Sequence, residues 1–203
     1  MKRKILIGII ISIVIGGISA AVYLVNQNDV PVFSKEKLAE ITLPKHNEIT
    51  LSPEPNEEIG TLYFPKVEMR VPVVYGYNAD YMEQYFDVVG LEAWGNFPGQ
   101  ENKLYINGHR HLAFQNLKHV ELGDTMILYM PYGEFTYQVN QEPQVVRAND
   151  KDALAFYQKD RDKQFSPQIL RLQTCYPFEA GSTLDHRYLV DLVLTKSIFY
   201  NEE

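Results

Sequence analysis

A single cysteine, Cys175, ends a strand-like segment of this 203-residue chain. Residues 170–175 (LRLQTC) alternate like a strand, and Pro177 interrupts the pattern just past the sulfur. If the chain is exported, a lone thiol has no partner for an internal disulfide. The cysteine is then an unreactive buried side chain, an intermolecular crosslink or a reactive centre, and we favour the reactive centre.

Two further reactive side chains, His109 and Arg187, adjoin strand-like segments. In residues 104–109, alternation turns Leu104 and Ile106 towards a core and His109 away from it. Cys175 leaves its strand on the polar face, and Arg187 lies opposite the apolar set of the last strand. The pattern therefore predicts a histidine, a thiol and a guanidinium on the non-core side of three strands, where a rigid sheet can carry a site.

The segments that would position these residues are mostly strands of period two. Strands are predicted over residues 60–64, 71–75, 104–107, 125–130, 134–139, 144–148, 169–174 and 188–194. The pair 125–130 and 134–139 forms a predicted hairpin, and short helices are predicted near 79–87, 114–120 and 151–157. Many short strands separated by turn signals predict a closed or nearly closed antiparallel barrel or sandwich.

The N-terminal sequence predicts a membrane anchor. Three basic residues at positions 2–4 precede 21 uncharged residues, 5–25, a length that crosses a bilayer as a helix. Ser19-Ala20-Ala21 leaves a cleaved signal peptide as the alternative. The basic cluster keeps the N-terminus inside and sends the rest outside. We predict a cytoplasmic cap (1–4), a transmembrane anchor (5–25), an extracellular stalk (26–58) and one compact domain (59–203).

The part of the chain beyond the basic cluster is strongly acidic. It has 16 lysines and arginines against 26 aspartates and glutamates, a formal charge of −10. A surface of this charge offers no basic stripe to a phosphate backbone. We therefore predict that nucleic acid is not a partner.

A series of motifs in fixed order resembles the sortases, the membrane-anchored cysteine transpeptidases of Gram-positive bacteria. The motifs are NGHR (107–110), FQNL (114–117), GD (123–124), LQTC (172–175) and RYLV (187–190), and the resemblance covers residues 60–194. TCYPF (174–178) is similar to the class D subgroup. Asn107 departs from the family pattern, which is expected to have a small residue such as Ala or Ser there.

The resemblance implies both a fold and an activity. The fold is a closed antiparallel or mixed β-barrel of about eight strands with short helices. Cys175 would attack the threonyl carbonyl of an LPxT-type sorting signal to form a thioacyl enzyme, which a peptidoglycan or pilin-like amine then resolves. His109 would be the general acid and later the base, Arg187 would stabilise the oxyanion or hold the substrate backbone, and Thr174 would assist. The enzyme would sit in the cell membrane with its catalytic domain outside.

Other interpretations remain open at the level of the residues. Taken singly, Cys175 could simply be packed, His109 a hydrogen-bonded turn residue and Arg187 a surface charge, as in a membrane-tethered extracellular binding module with an inert cysteine. A papain-like enzyme is disfavoured because His109 precedes Cys175. His109 and His111 could bind a metal together with Cys175, but no CxxC or HExxH spacing accompanies them. We therefore expect no metal and no cofactor.

Overall fold

The computed structural model describes residues 51–76, 87–92, 96–150, 166–179 and 183–200. The predicted anchor at 5–25, most of the stalk and the helix predicted at 151–157 lie outside these ranges, as does all but the last residue of the helix predicted at 79–87. Within the ranges, no helix combines the length and the apolar character needed to cross a bilayer.

Nine strands make up the secondary structure of the described residues, together with two short 3₁₀ turns at Pro65–Val67 and Leu117–His119. The strands are β1 (Glu58–Phe64), β2 (Met69–Tyr75), β3 (Val89–Leu91), β4 (Lys103–Gly108), β5 (Thr125–Met130), β6 (Gly133–Val139), β7 (Gln144–Arg147), β8 (Ile169–Tyr176) and β9 (His186–Phe199). Every strand predicted from the sequence is present. The helix predicted at 114–120 is only a turn followed by a 3₁₀ segment.

Eight of these strands close into a barrel. They follow the order β6-β5-β1-β2-β3-β4-β8-β9, and β9 pairs with β6 to complete the ring, while β7 adds to β9 as an outlying strand. The pairs β2–β3 and β4–β8 are parallel, and the remaining pairs are antiparallel. The predicted mixed barrel of about eight strands is therefore confirmed.

The inward side chains of the barrel form one apolar core. Members that are almost completely buried include Leu62, Phe64, Leu91, Leu104, Ile106, Phe114, Leu128, Phe135, Leu170, Leu172, Val190 and Leu192. Burial of each such side chain stabilises the folded state by about 1.5 to 3 kcal/mol.

The hydroxyl groups of two buried tyrosines have hydrogen-bond acceptors. Tyr132 donates to the Pro98 carbonyl at 2.9 Å, and Tyr137 donates to Gln168 Oε1 at 2.6 Å. Burial raises the pKa of both phenols.

Candidate active site

Two predicted site residues lie on the paired strands β8 and β9, and the third, His109, lies just past the neighbouring strand β4. Cys175 on β8 is the antiparallel partner of Arg187 on β9. On the other side of β8, Asn107 of β4 is the parallel partner of Gln173. Continuing that register by two residues puts His109, one residue past the end of β4, opposite Cys175. We call this row of His109, Cys175 and Arg187 the catalytic row.

The catalytic row lies on the outer face of the barrel. Leu170, Leu172 and Thr174 face inwards and are at most 3% exposed, so the alternation predicted for β8 is confirmed. His109, Cys175 and Arg187 are each partly exposed. Cys175 is a free cysteine that is partly exposed, so it is not sealed in the core.

A row of paired amides lies directly below the catalytic row. Gln173 donates through Nε2 to Asn107 Oδ1 at 3.2 Å, and Asn107 donates through Nδ2 to Glu92 Oε1 at 2.7 Å. The Tyr105 hydroxyl donates to the Gln173 side-chain oxygen. Asn107, which departs from the family pattern, is thus a buried junction of hydrogen bonds. This network was not predicted, because the register between β4 and β8 leaves no local signal in the sequence.

An ion pair forms the next row down. Arg171 binds Asp191 through Nε to Oδ1 at 2.5 Å and through Nη2 to Oδ2 at 2.6 Å. The two side chains are 9% and 14% exposed. Gln141 also donates to this carboxylate. Below the catalytic row, the side chains on the outer face of the barrel are therefore largely buried and hydrogen-bonded to one another. Such a network is a rigid support for the row above it.

His109 begins a tight turn that follows β4. Its carbonyl accepts hydrogen bonds from the backbone N–H groups of Leu112 at 3.2 Å and Phe114 at 3.0 Å, and its Nε2 atom is buried. A Cβ on the preceding Gly108 would lie only 2.6 Å from the Phe114 ring, so close packing of the turn requires glycine there. The exposed His111 ring is 5.9 Å from the His109 ring, centroid to centroid.

Arg187 is held by the backbone at the start of β9. Its Nη1 group donates to the Leu184 carbonyl at 3.0 Å and to the His186 carbonyl at 2.9 Å. Among the residues that the structure describes, its Nε and Nη2 groups make no hydrogen bond. The guanidinium is therefore oriented by one nitrogen, and its remaining donors are available to a ligand.

The neighbouring residue His186 adjoins a separate cavity of about 570 Å³. Arg147, Ala148, Asn149, Asp185 and His186 line it, and none of the catalytic row does. His186 Nδ1 lies 2.9 Å from Asp185 Oδ1, and this hydrogen bond lowers the pKa of the exposed carboxyl. His186 lies next to Arg187 in the chain, so alternation directs it to the other face of the sheet.

Two side chains flanking the catalytic row connect the end of β4 to the end of β8. Thr174 donates through Oγ1 to the Gly108 carbonyl at 2.7 Å. Arg110, only 8% exposed, donates through Nη1 to the Pro177 carbonyl. The Thr174 bond holds Gly108, the residue before His109, and the predicted assistance from Thr174 in catalysis stays a prediction. Arg110 was not singled out in the sequence analysis.

Metal-ligand types do not cluster in the part of the chain that the structure describes. There, no group of three or more His, Cys, Asp or Glu side chains could hold a metal ion. The geometry instead offers a thiol and a guanidinium on paired strands and an imidazole in the turn that follows the neighbouring strand. This combination suits acyl transfer through a thioester, in which the thiol is the nucleophile.

Comparison with known proteins agrees with this geometry. Residues 62–195 match the sortase domain family. The chain is 31% identical to Sortase D of Bacillus subtilis (strain 168) over 144 residues. These residues make up 71% of this chain and 67% of that protein. The fold resembles the SrtF sortase from Corynebacterium diphtheriae, with a TM-score of 0.63, 17% identity, and coverage of 79% of this chain and 94% of that one. It also resembles a Clostridium perfringens Sortase D5 transpeptidase, with a TM-score of 0.59, 19% identity, and coverage of 81% and 90%. The chain therefore belongs to the sortase family of cysteine transpeptidases.

Proposed function

We propose that the enzyme cleaves an LPxT-type sorting signal after threonine and transfers the new acyl group to an amine of the cell envelope, from peptidoglycan or a pilin-like protein. The observation that supports the proposal is the pairing of Cys175 with Arg187 across β8 and β9, with His109 just past the end of β4, the other neighbour of β8. Membership of the sortase family supplies the reaction class, and the motif series at 107–110, 172–175 and 187–190 supports the peptide substrate.

In the proposed first half-reaction, Cys175 Sγ attacks the threonyl carbonyl carbon as a thiolate. The carbonyl oxygen becomes an oxyanion, which the free N–H groups of Arg187 stabilise. As the tetrahedral intermediate collapses, the C–N bond breaks and His109 gives its proton to the departing amine. The products are the thioacyl enzyme and the C-terminal fragment of the sorting signal.

The second half-reaction reverses these roles. The incoming amine attacks the thioester carbon, and His109, now neutral, accepts a proton from it. The S–C bond breaks, an amide forms, and the Cys175 thiolate is regenerated beside the imidazolium. Water in place of the amine gives slow hydrolysis, which provides a simple assay when the natural acceptor is unidentified.

The proposed location of the enzyme is the cell membrane of a Gram-positive bacterium. The uncharged segment 5–25 behind the basic residues 2–4 would anchor it with the N-terminus in the cytoplasm. The catalytic domain would then face the envelope, where both sorting-signal proteins and acceptor amines occur. A negative domain charge suits acceptors that carry several amines.

Peptide cleavage and mass spectrometry test the proposed chemistry. Incubation with a fluorescent LPxT-containing peptide should give an acyl adduct on Cys175, and Cys175→Ala should abolish the adduct, cleavage and transfer. His109→Ala should reduce turnover about 100-fold or more because the leaving amine loses its acid. His119→Ala is the matched control, since this exposed histidine lies outside the catalytic row, and it should retain activity close to the wild type.

Substantial turnover by Cys175→Ala would refute the proposed nucleophile. If the wild-type chain binds the peptide without forming an adduct, and a thiol-directed alkylator leaves Cys175 unmodified, the proposed function is wrong. That result would favour the alternative of a binding module with an inert cysteine.

A further inference from the structure

Arg110, the residue after His109, is a charged residue that is almost completely buried. The side chain is only 8% exposed, and burying a guanidinium is costly unless its donors find acceptors. Its Nη1 group donates to the backbone carbonyl of Pro177. That carbonyl belongs to the first residue past the end of β8, two positions after Cys175.

The hydrogen bond of Arg110 complements the one made by Thr174. The ladder between β4 and β8 ends at Asn107 and Gln173, so it does not reach the catalytic row. Beyond that point, the Thr174 hydroxyl binds the Gly108 carbonyl at 2.7 Å on one side of the row. Arg110 binds the Pro177 carbonyl on the other side. Beyond the end of the backbone ladder, two hydrogen bonds from side chains thus connect the two segments, one before and one after His109 and Cys175 in the chain.

We propose that Arg110 is a positioning residue that holds the His109 turn against the segment following Cys175. It sets the distance and angle between the imidazole and the leaving nitrogen of the peptide without touching the substrate. Because a misplacement of about 1 Å can reduce a rate about 100-fold, a single bond at this point has a large effect on catalysis. The proposal rests on the proposed function, since it acts through the acid role of His109.

Comparison of two substrates separates positioning from general structural support. The peptide needs His109 to protonate its leaving amine, whereas a p-nitrophenyl ester of the same acyl peptide has a leaving group that departs as the anion. Arg110→Gln should reduce kcat for the peptide about 100-fold with KM changed less than about threefold. The rate of Cys175 acylation by the ester should fall less than about threefold. A general disturbance of the barrel would lower both rates together.

Two further variants complete the test. Arg110→Lys keeps the charge and one possible N–H donor to Pro177, so it should lose less activity than Arg110→Gln. Arg70→Gln removes the same charge from an exposed position on β2 and is the control for net charge. If Arg110→Gln does not fold, as judged by circular dichroism, the comparison of peptide and ester is made with Arg110→Lys.

A double variant gives the decisive outcome. In a His109→Ala background, adding Arg110→Gln should change the residual peptide rate less than about twofold, because the group that it positions is gone. An undiminished loss in that background, an equal loss with peptide and ester, or a normal rate for Arg110→Gln would each overturn the proposal. If the wild type fails to cleave the peptide at all, the proposed function itself fails, and that result is distinct from these.

Discussion

At the scale of single residues, the hydrogen bonds of Arg187 suit the oxyanion-binding role proposed for it. Its Nη1 group is bound to two backbone carbonyls, which fixes the plane of the guanidinium. The directions of the other donors follow from that plane, so in the proposed mechanism they need no reordering when the oxyanion forms. Preorganised donors of this kind stabilise a transition state more than mobile ones.

Arg187→Lys tests this preorganisation. Lysine keeps the positive charge but loses the planar fork, so it cannot bind the Leu184 and His186 carbonyls and present further donors at fixed angles. We expect kcat/KM for the LPxT-containing peptide to fall about 100-fold, with little change in the melting temperature. Steady-state kinetics with the fluorescent peptide measure the loss. A rate within about threefold of the wild type would rule out the donor role while leaving the nucleophile unaffected.

The sequence motifs pointed to Cys175, His109 and Arg187 as site residues, but not to the hydrogen bonds of Arg110 and Asn107. The roles of these three residues stay a prediction, which rests on side-chain types that carry chemistry and on motifs that occur in order. The partners of Arg110 and Asn107 could not be identified, because Pro177 and Glu92 are far from them in the chain. Only the three-dimensional structure shows that this buried arginine donates a hydrogen bond to a carbonyl 67 positions later.

At the scale of elements, the barrel depends on a pairing between distant strands. β6 and β9 pair from Gly133 and Phe199 to Val139 and Leu192, with a register shift between Thr136 and Tyr137. The rings of Phe135 and Phe199 pack edge to face across this pairing, with centroids 5.4 Å apart. β9 also carries Arg187, so closure of the ring holds one side of the catalytic row.

Gly133→Ala should weaken this closure. A Cβ at this position would lie 2.4 Å from the Ile198 carbonyl oxygen, a backbone atom that cannot move without separating β6 from β9. We expect a loss of about 2 to 3 kcal/mol in the free energy of unfolding, measured by urea denaturation.

Gly123→Ala is the control for Gly133→Ala, because at Gly123 only the backbone conformation, and not a steric contact, disfavours alanine. Its φ is +89°, and nothing lies within 4 Å of the added Cβ. The expected cost is about 1 to 2 kcal/mol from backbone strain, without an effect on barrel closure. If Gly133→Ala proves no more destabilising than Gly123→Ala, the β6–β9 contact does not have the tightness that we assign to it.

The elements themselves were largely predictable from period-two patterns, with two informative exceptions. β3 is only three residues long and contains Gly90, so it has too little alternation to be recognised. Residues 114–120 have helical spacing, yet Phe114 and Leu117 are both anchored in the barrel core, and only Leu117–His119 has 3₁₀ geometry. Tertiary packing overrode a weak local preference there. The order of strands around the ring was beyond sequence patterns, because register between distant strands leaves no local signal.

At the scale of the whole molecule, charge and hydropathy support the proposed division of the chain into a membrane anchor and an external part. The acidic remainder, with its formal charge of −10, suits an aqueous envelope, whereas residues 5–25 contain no charge at all. An uncharged run of this length is unstable in water and stable in a bilayer. Tethering would also confine the enzyme to the surface at which secreted substrates emerge, which raises its effective concentration there.

Membrane extraction tests the proposed anchor. The full chain should sediment with membranes, resist alkaline carbonate and be released only by detergent, because burying about 20 apolar residues is effectively irreversible. A chain starting at residue 26 should be soluble and should still form the acyl adduct on Cys175. External protease should degrade the catalytic domain in intact protoplasts, since the basic residues at 2–4 keep the N-terminus inside. Release by carbonate, or a mature N-terminus just after Ala21, would instead support the cleaved signal peptide.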